Sequence, residues 1–345
     1  MKAARSGVTG CVVSVVLAAA GCASDIGASS PEGPTMQPTS AIGASPSLGA
    51  SQGPELPEAV VAAIPLDGDP TSIAADGDEL WVADAQGAFL WRLSRDSGAV
   101  LEKLSYGPEG ESGYFAGPQD VRVYAARGSV FVMEGPRGRE VVRVAAETGE
   151  VQERIEVASP LGAAIADASL LVASFDPYEV VRIDMRTNDV VARIPSAGPS
   201  AVRSGFGLVW VLNHRSNTVS PIDLETNEPI AEIAVNAPYP ERLGVGGGGV
   251  WVSSPSSDTV LRIDPDRMKV VATISVAHEP YDFAVGAGAV WVGTAEGVSR
   301  IDPDANQVTA TVDLGPTSGI LEFDRDGYLW AAGGGFVFKI DPTKV

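Results

Sequence analysis

The sequence predicts an all-β fold, a seven-bladed β-propeller of four-stranded antiparallel blades in which the N-terminal strand closes the last blade. Three observations carry it. A hydrophobic triplet recurs seven times, an Ile-Asp marker follows most copies, and the last copy stops short while a matching segment opens the repeat region.

The triplets are Leu80-Trp81-Val82, Val130-Phe131-Val132, Leu170-Leu171-Val172, Val209-Trp210-Val211, Val250-Trp251-Val252, Val290-Trp291-Val292 and Leu329-Trp330-Ala331. Their central residues lie 50, 40, 39, 41, 40 and 39 residues apart. Ile-Asp recurs at 183–184, 222–223, 263–264, 301–302 and 340–341, with Leu93-Ser94 and Val144-Ala145 as degenerate copies. A proline, at 70, 118, 160, 199, 240, 280 or 316, precedes each first strand. A period of about 40 residues holds four strands of about five residues and four short turns, the content of one blade. Helical repeats would show a 3.6-residue spacing, which is absent. Within a repeat, strand a follows the proline, b covers the triplet, c ends at Ile-Asp, and d follows, as in Val270-Val271-Ala272-Thr273-Ile274.

Radial geometry accounts for the residue types. Blades fan out from an axis, so strand a is crowded and takes Gly and Ala, the run Gly244 to Gly249 being the extreme case. The wider b positions take Trp to fill the space between blades. The aspartate of Ile-Asp is expected to cap the following turn through its own side chain. The last repeat ends at Phe338-Lys339-Ile340-Asp341 without a strand d, whereas VVAAIPLDGDP at 60–70 matches VVATISVAHEP at 270–280. The N-terminal segment therefore supplies the outer strand of blade seven and removes the open edges.

Upstream of the repeats the chain divides at 1–21, 22–57 and 58–345. Lys2 and Arg5 precede an apolar run from Val8 to Ala20 that ends Ala19-Ala20-Gly21-Cys22. This run is too short for a membrane span of about 20 residues and reads as a signal segment. Its ending is similar to a bacterial lipobox, which implies a lipid on Cys22. Residues 22–57 are rich in Ser, Gly, Pro, Ala and Thr and form the expected disordered tether. Cys11 is the other cysteine and lies inside the leader, so no disulfide is expected.

Composition excludes several functions. Of the 345 residues 45% are hydrophobic and 20% charged, enough for a large core, and 39 Gly with 25 Pro mark frequent turns. A net charge of −20 disfavours nucleic acid and anionic lipid surfaces as partners. No nucleophile elbow, free reactive cysteine or zinc-ligand spacing is present. No cofactor or metal is called for, and the chain is expected to be a monomer.

The b–c turns and the loops joining d to the next a are expected on one face, where binding residues collect. That rim holds Asp120, Tyr178, His214, Arg215, Glu241, Arg242, His278, Tyr281 and Asp282. The long loop at 107–120 accounts for the one irregular spacing and is a second candidate for ligand choice.

These repeats resemble the YVTN-type seven-bladed propellers and, more loosely, NHL repeats and the virginiamycin B lyase group, over about residues 58–345. The resemblance implies the fold and leaves the activity open. The lyase group implies histidines and a glutamate around the channel with a divalent metal, for which His214, His278 and Glu279 are the residues at hand. The positions after the blade-entry prolines, Thr71, Gln119, Leu161, Ser200, Glu241, Tyr281 and Thr317, carry no histidine. The sequence thus points to a membrane-anchored, extracytoplasmic, non-catalytic lipoprotein that presents a propeller face to a protein, glycan or small ligand. The rival is a propeller enzyme acting at the channel mouth through His214 and His278.

Overall fold

Each repeat folds as one antiparallel sheet, because its apolar runs are short and end at Gly-, Asn- and Asp-rich turns. The computed structural model describes residues 56–84, 89–106, 121–317 and 319–345. Cys22, the 107–120 loop and Asp120 lie outside the described residues. Blade 1 comprises Pro70–Asp76, Glu79–Asp84, Phe89–Ser94 and Val100–Ser105 as strands a to d. Blade 2 runs Arg122–Ala126, Ser129–Met133, Glu140–Ala145 and Val151–Glu156, and blade 3 Pro160–Ala166, Ser169–Ser174, Glu179–Asp184 and Val190–Pro195. Blade 5 runs Arg242–Gly246, Gly249–Ser254, Thr259–Asp264 and Lys269–Ser275, and blade 6 Phe283–Gly286, Ala289–Thr294, Gly297–Asp302 and Gln307–Asp313.

Blade 4 departs from the four-strand pattern. Pro199–Gly205, Leu208–Asn213 and Thr218–Asp223 are regular, but the outer strand is split into Glu228–Pro229 and Ile233–Ala234. Pro221 in strand c and Pro229, which stands opposite Ile222, lack the N–H that a continuous ladder needs.

Closure follows the expected swap. Blade 7 holds Ile320–Phe323, Leu329–Gly333 and Phe336–Ile340, and Val60–Pro65 pairs antiparallel with the last of these, Ile64 opposite Val337. The apolar interior is divided into seven layers, each drawn from two adjacent blades. In one, Trp251, Val260 and Ile274 of blade 5 pack on Phe283, Val290 and Ile301 of blade 6. In the closing layer, Ile64 and Leu66 join Ile73 and Trp91 of blade 1 and Trp330 of blade 7.

The tryptophans of the triplets are fully buried, and in blades 4, 5 and 6 the indole N–H is paired at the end of strand a. Trp210 donates to Gly205 O at 3.1 Å, Trp251 to Gly246 O at 2.9 Å and Trp291 to Gly286 O at 3.2 Å. A strand-c arginine lies over the ring of Phe131, Trp251 or Trp291, with its guanidinium 5.6, 5.3 or 6.0 Å from the centroid. Arg143, Arg182 and Arg262 then reach the next blade and donate to an Asn side chain in its c–d turn, Asn188, Asn227 and Asn306. Those asparagines sit at φ 66°, 58° and 54°, a left-handed conformation their short amide tolerates.

The Ile-Asp aspartates cap their turns. Asp184 accepts from Arg186 N at 2.8 Å, Asp223 from Glu225 N at 2.8 Å and Asp302 from Asp304 N at 2.8 Å. Crowding of strand a is real at Gly244, where a Cβ would stand 2.6 Å from Phe283 Cβ, and at Gly205, where it would stand 2.3 Å from Val245. The expectation that the whole run Gly244 to Gly249 lies in that strand is corrected: the strand ends at Gly246, Gly249 begins strand b, and Gly247 and Gly248 form the a–b turn. Their φ values of 57° and 69° explain the glycines there.

Candidate binding site in the axial channel

The loops on the predicted face bond to one another. His214 N donates to Gly198 O at 2.9 Å, Ala295 N to His278 O at 2.7 Å and Ser196 N to Tyr178 O at 3.0 Å, each joining a d–a loop to a b–c turn. This face surrounds the mouth of the axial channel, where residues of all seven a strands and their entry loops line a cavity of about 260 Å³.

The register shows which inner-strand positions carry chemistry. Opposite the central residue of each triplet stand Ala74, Tyr124, Ala164, Arg203, Gly244, Ala284 and Glu322. Four are small, as crowding requires, and three are polar. Nearer the loop-bearing end of the strands lie Arg122 and Arg242, each the first residue of its strand, together with Asp282.

These side chains bridge the channel in two tiers. In the upper tier Arg242 of blade 5 donates through Nη2 to the Tyr281 hydroxyl, with its guanidinium 4.3 Å from the ring centroid. Arg122, from blade 2, donates to the same hydroxyl at 3.4 Å. In the lower tier Arg203 of blade 4 donates to Asp282 Oδ1 at 3.2 Å and is hydrogen-bonded to the Tyr124 hydroxyl. Tyr124 in turn accepts from Ala163 N at 2.9 Å, and Asp282 Oδ2 from Leu321 N at 3.4 Å.

Glu322 completes the lower tier. Burial, and after it the charge of Asp282, pushes its carboxyl up to about 8, against the opposing pull of Arg203 and of a backbone hydrogen bond at Ala75. It is therefore mostly protonated at neutral pH. The folded chain holds a proton on Glu322 between about pH 4.5 and 8 that the unfolded chain releases, so this group makes stability fall as pH rises across that window. Glu134, pushed up to about 7 mainly by burial, acts in the same direction. Glu322→Gln is expected to flatten the slope and to stabilise the protein above pH 8 by on the order of 2–4 kcal/mol relative to pH 5. Urea unfolding of both proteins from pH 5 to 9 checks it, and parallel slopes would refute it.

The rim residues divide. Glu241, Arg242, Tyr281 and Asp282 converge on the mouth, with His214 beside them. His214 Nδ1 donates to Pro240 O at 3.0 Å, and its ring lies 6.3 Å from that of Tyr239. Burial raises the pKa of Glu241, while His214 and Arg122 act to lower it. Arg215 and Tyr178 pair with each other, the guanidinium 5.1 Å from the ring centroid. His278 is paired with Glu296 at 3.0 Å, both more than half exposed, in a groove between blades 5 and 6. The two histidines have separate partners. Arg122, Tyr124, Arg203 and Glu322 were not among the sequence candidates, although the last three interrupt a column of small inner-strand residues.

A seven-bladed β-propeller with a polar, bridged axial channel is the class these features define, a scaffold for binding or catalysis. Among solved structures the chain is similar to virginiamycin B lyase from Staphylococcus aureus, with a TM-score of 0.65 and 16% identity over 81% of this chain and 97% of that one. It is also similar to the Pan2 WD40 domain of Neurospora crassa, with a TM-score of 0.64 and 15% identity over 81% and 90% of the two chains. At such identities the likeness is one of fold. No protein-family model matches the chain, and no curated protein does.

Proposed function

We propose that this chain is a membrane-anchored, extracytoplasmic binding lipoprotein that holds a ligand at the mouth of its axial channel without transforming it. The observation that carries the reading is the upper tier, in which guanidinium groups from blades 2 and 5 meet at one phenol hydroxyl beside a cavity. Such a constellation orients a ligand, its phenol hydroxyl being held by both guanidinium groups. Acid and base partners must reach one substrate, whereas His214 and His278 are engaged by Pro240 and Glu296. The leader and Ala19-Ala20-Gly21-Cys22 support the anchor.

The test has two arms. Cells fed radiolabelled palmitate are expected to label the wild-type chain and not Cys22→Ser; a labelled Cys22→Ser chain would refute the anchor. Full-length protein dialysed against a cell-envelope extract is expected to retain a ligand intact, and Arg242→Gln to retain less. Recovery of a chemically altered ligand would overturn the non-catalytic reading.

A further inference from the structure

We propose that the channel mouth is a site for a compact organic carboxylate held between Arg122 and Arg242. The inference rests on the binding reading above and names the ligand class.

Charge distribution is the first argument. The chain has 44 acidic and 24 basic residues, yet three arginines and two carboxylates line the cavity. Arg203 pairs with Asp282. Arg122 and Arg242 line the same cavity and make no ion pair among the described residues. Glu241 is close enough to feel the charge of Arg122 but makes no ion pair with it. The acceptor the two guanidinium groups share is the Tyr281 hydroxyl. Two cations that meet there in a partly desolvated channel without an ion pair of their own are a charge that an anion would complement.

Shape and chemistry narrow the class. Guanidinium forks match the two oxygens of a carboxylate. Leu161, part-exposed at the entry of strand a in blade 3, adds apolar wall that suits a short hydrocarbon body. A volume of about 260 Å³ lies at the lower edge of the ~300–1,000 Å³ typical of small-molecule pockets. The lower tier crosses the channel below, so a threaded polymer is disfavoured and a compact ligand entering from the mouth is favoured.

Isothermal titration calorimetry on the detergent-solubilised full-length protein, with succinate, citrate, dimethyl succinate and inorganic phosphate, tests this. Binding of at least one carboxylate is expected, weakened about tenfold or more by Arg122→Gln or Arg242→Gln and abolished in the double variant. Dimethyl succinate has the same body without the charge and is expected not to bind, a control independent of any variant's folding. Failure of both carboxylates to bind, or unchanged binding in the double variant, would overturn the inference. Phosphate binding as tightly as the carboxylates would also overturn it. Binding of dimethyl succinate that is lost in Arg242→Gln would leave the channel a binding site and remove the anion. A bound carboxylate recovered altered by NMR would uphold the site and overturn the non-catalytic reading.

Discussion

A chain shortened to begin at Leu66 is expected to lose the single cooperative unfolding of the ring and to associate at concentrations where the full chain does not. Val60–Pro65 is the outer strand of blade 7, paired with Phe336–Ile340, and its loss exposes the unpaired edge of that strand. A flat unpaired edge is a template for intermolecular pairing. Ile64 also belongs to the layer between blades 7 and 1, and its loss alone costs about 2–5 kcal/mol by analogy with large-to-small core changes. In a solenoid the same deletion would fray one end. In a ring it removes the contact that holds first and last blades together, so the effect should be global. Urea unfolding by circular dichroism, with size-exclusion chromatography beside it, is the measurement. A peptide spanning 56–66 supplied in trans is expected to restore part of the lost stability. An unchanged midpoint in the shortened chain would show that the strand does not close the ring.

The ring, its count and its seam were readable because each leaves a periodic mark. Trp81, Trp210, Trp251, Trp291 and Trp330 recur at one depth, and 60–70 copies 270–280 where a copy is missing. The interblade clamps were less visible, since Arg182 reaching Asn227 is an interaction between residues 45 apart that neither repeat discloses alone. The site was readable only at its rim. Attention to loops placed Glu241, Arg242, Tyr281 and Asp282 around the mouth, whereas Tyr124, Arg203 and Glu322 lie within regular strands and Arg122, like Arg242, opens one. Their signal was a mismatch: Tyr124, Arg203 and Glu322 occupy the position held by Ala74, Ala164, Gly244 and Ala284 in the other blades. A repeat alignment that treated such exceptions as chemistry would have found them. What the periodicity does not contain is the distance across the ring, which brings Arg122 and Tyr281 together over 159 residues. The split outer strand of blade 4 was marked by Pro221 and Pro229, both visible in the sequence.

Arg95→Met is expected to destabilise the protein by about 3–5 kcal/mol, the range for breaking a buried charge network from one side. Arg95 is 1% exposed, in the c–d turn of blade 1, and meets groups of the a–b turns of blades 1 and 7. It donates to Gly77 O at 2.7 Å and forms ion pairs with Asp326 at 3.0 Å, Asp78 at 3.4 Å and the buried Asp324 at 3.9 Å. Lys339, from blade 7, donates to Arg95 O at 3.0 Å, so the latch crosses the seam in both directions. Asp324 is itself held by Trp330 Nε1 at 2.9 Å and Tyr328 N at 3.0 Å. It remains buried after the substitution, its charge no longer opposed by Arg95. Arg325→Met removes an ion pair to the same Asp78, but both partners there are more than half exposed. That variant is expected to lose less than about 1 kcal/mol, because solvent screens such pairs. Hydrogen exchange adds a readout of place: Arg95→Met should loosen the amides of Val60–Pro65 and Phe336–Ile340 before those of blade 4. Equal losses in the two variants, or protection lost evenly around the ring, would show that the seam is held by its strand pairing and apolar layer and not by this latch.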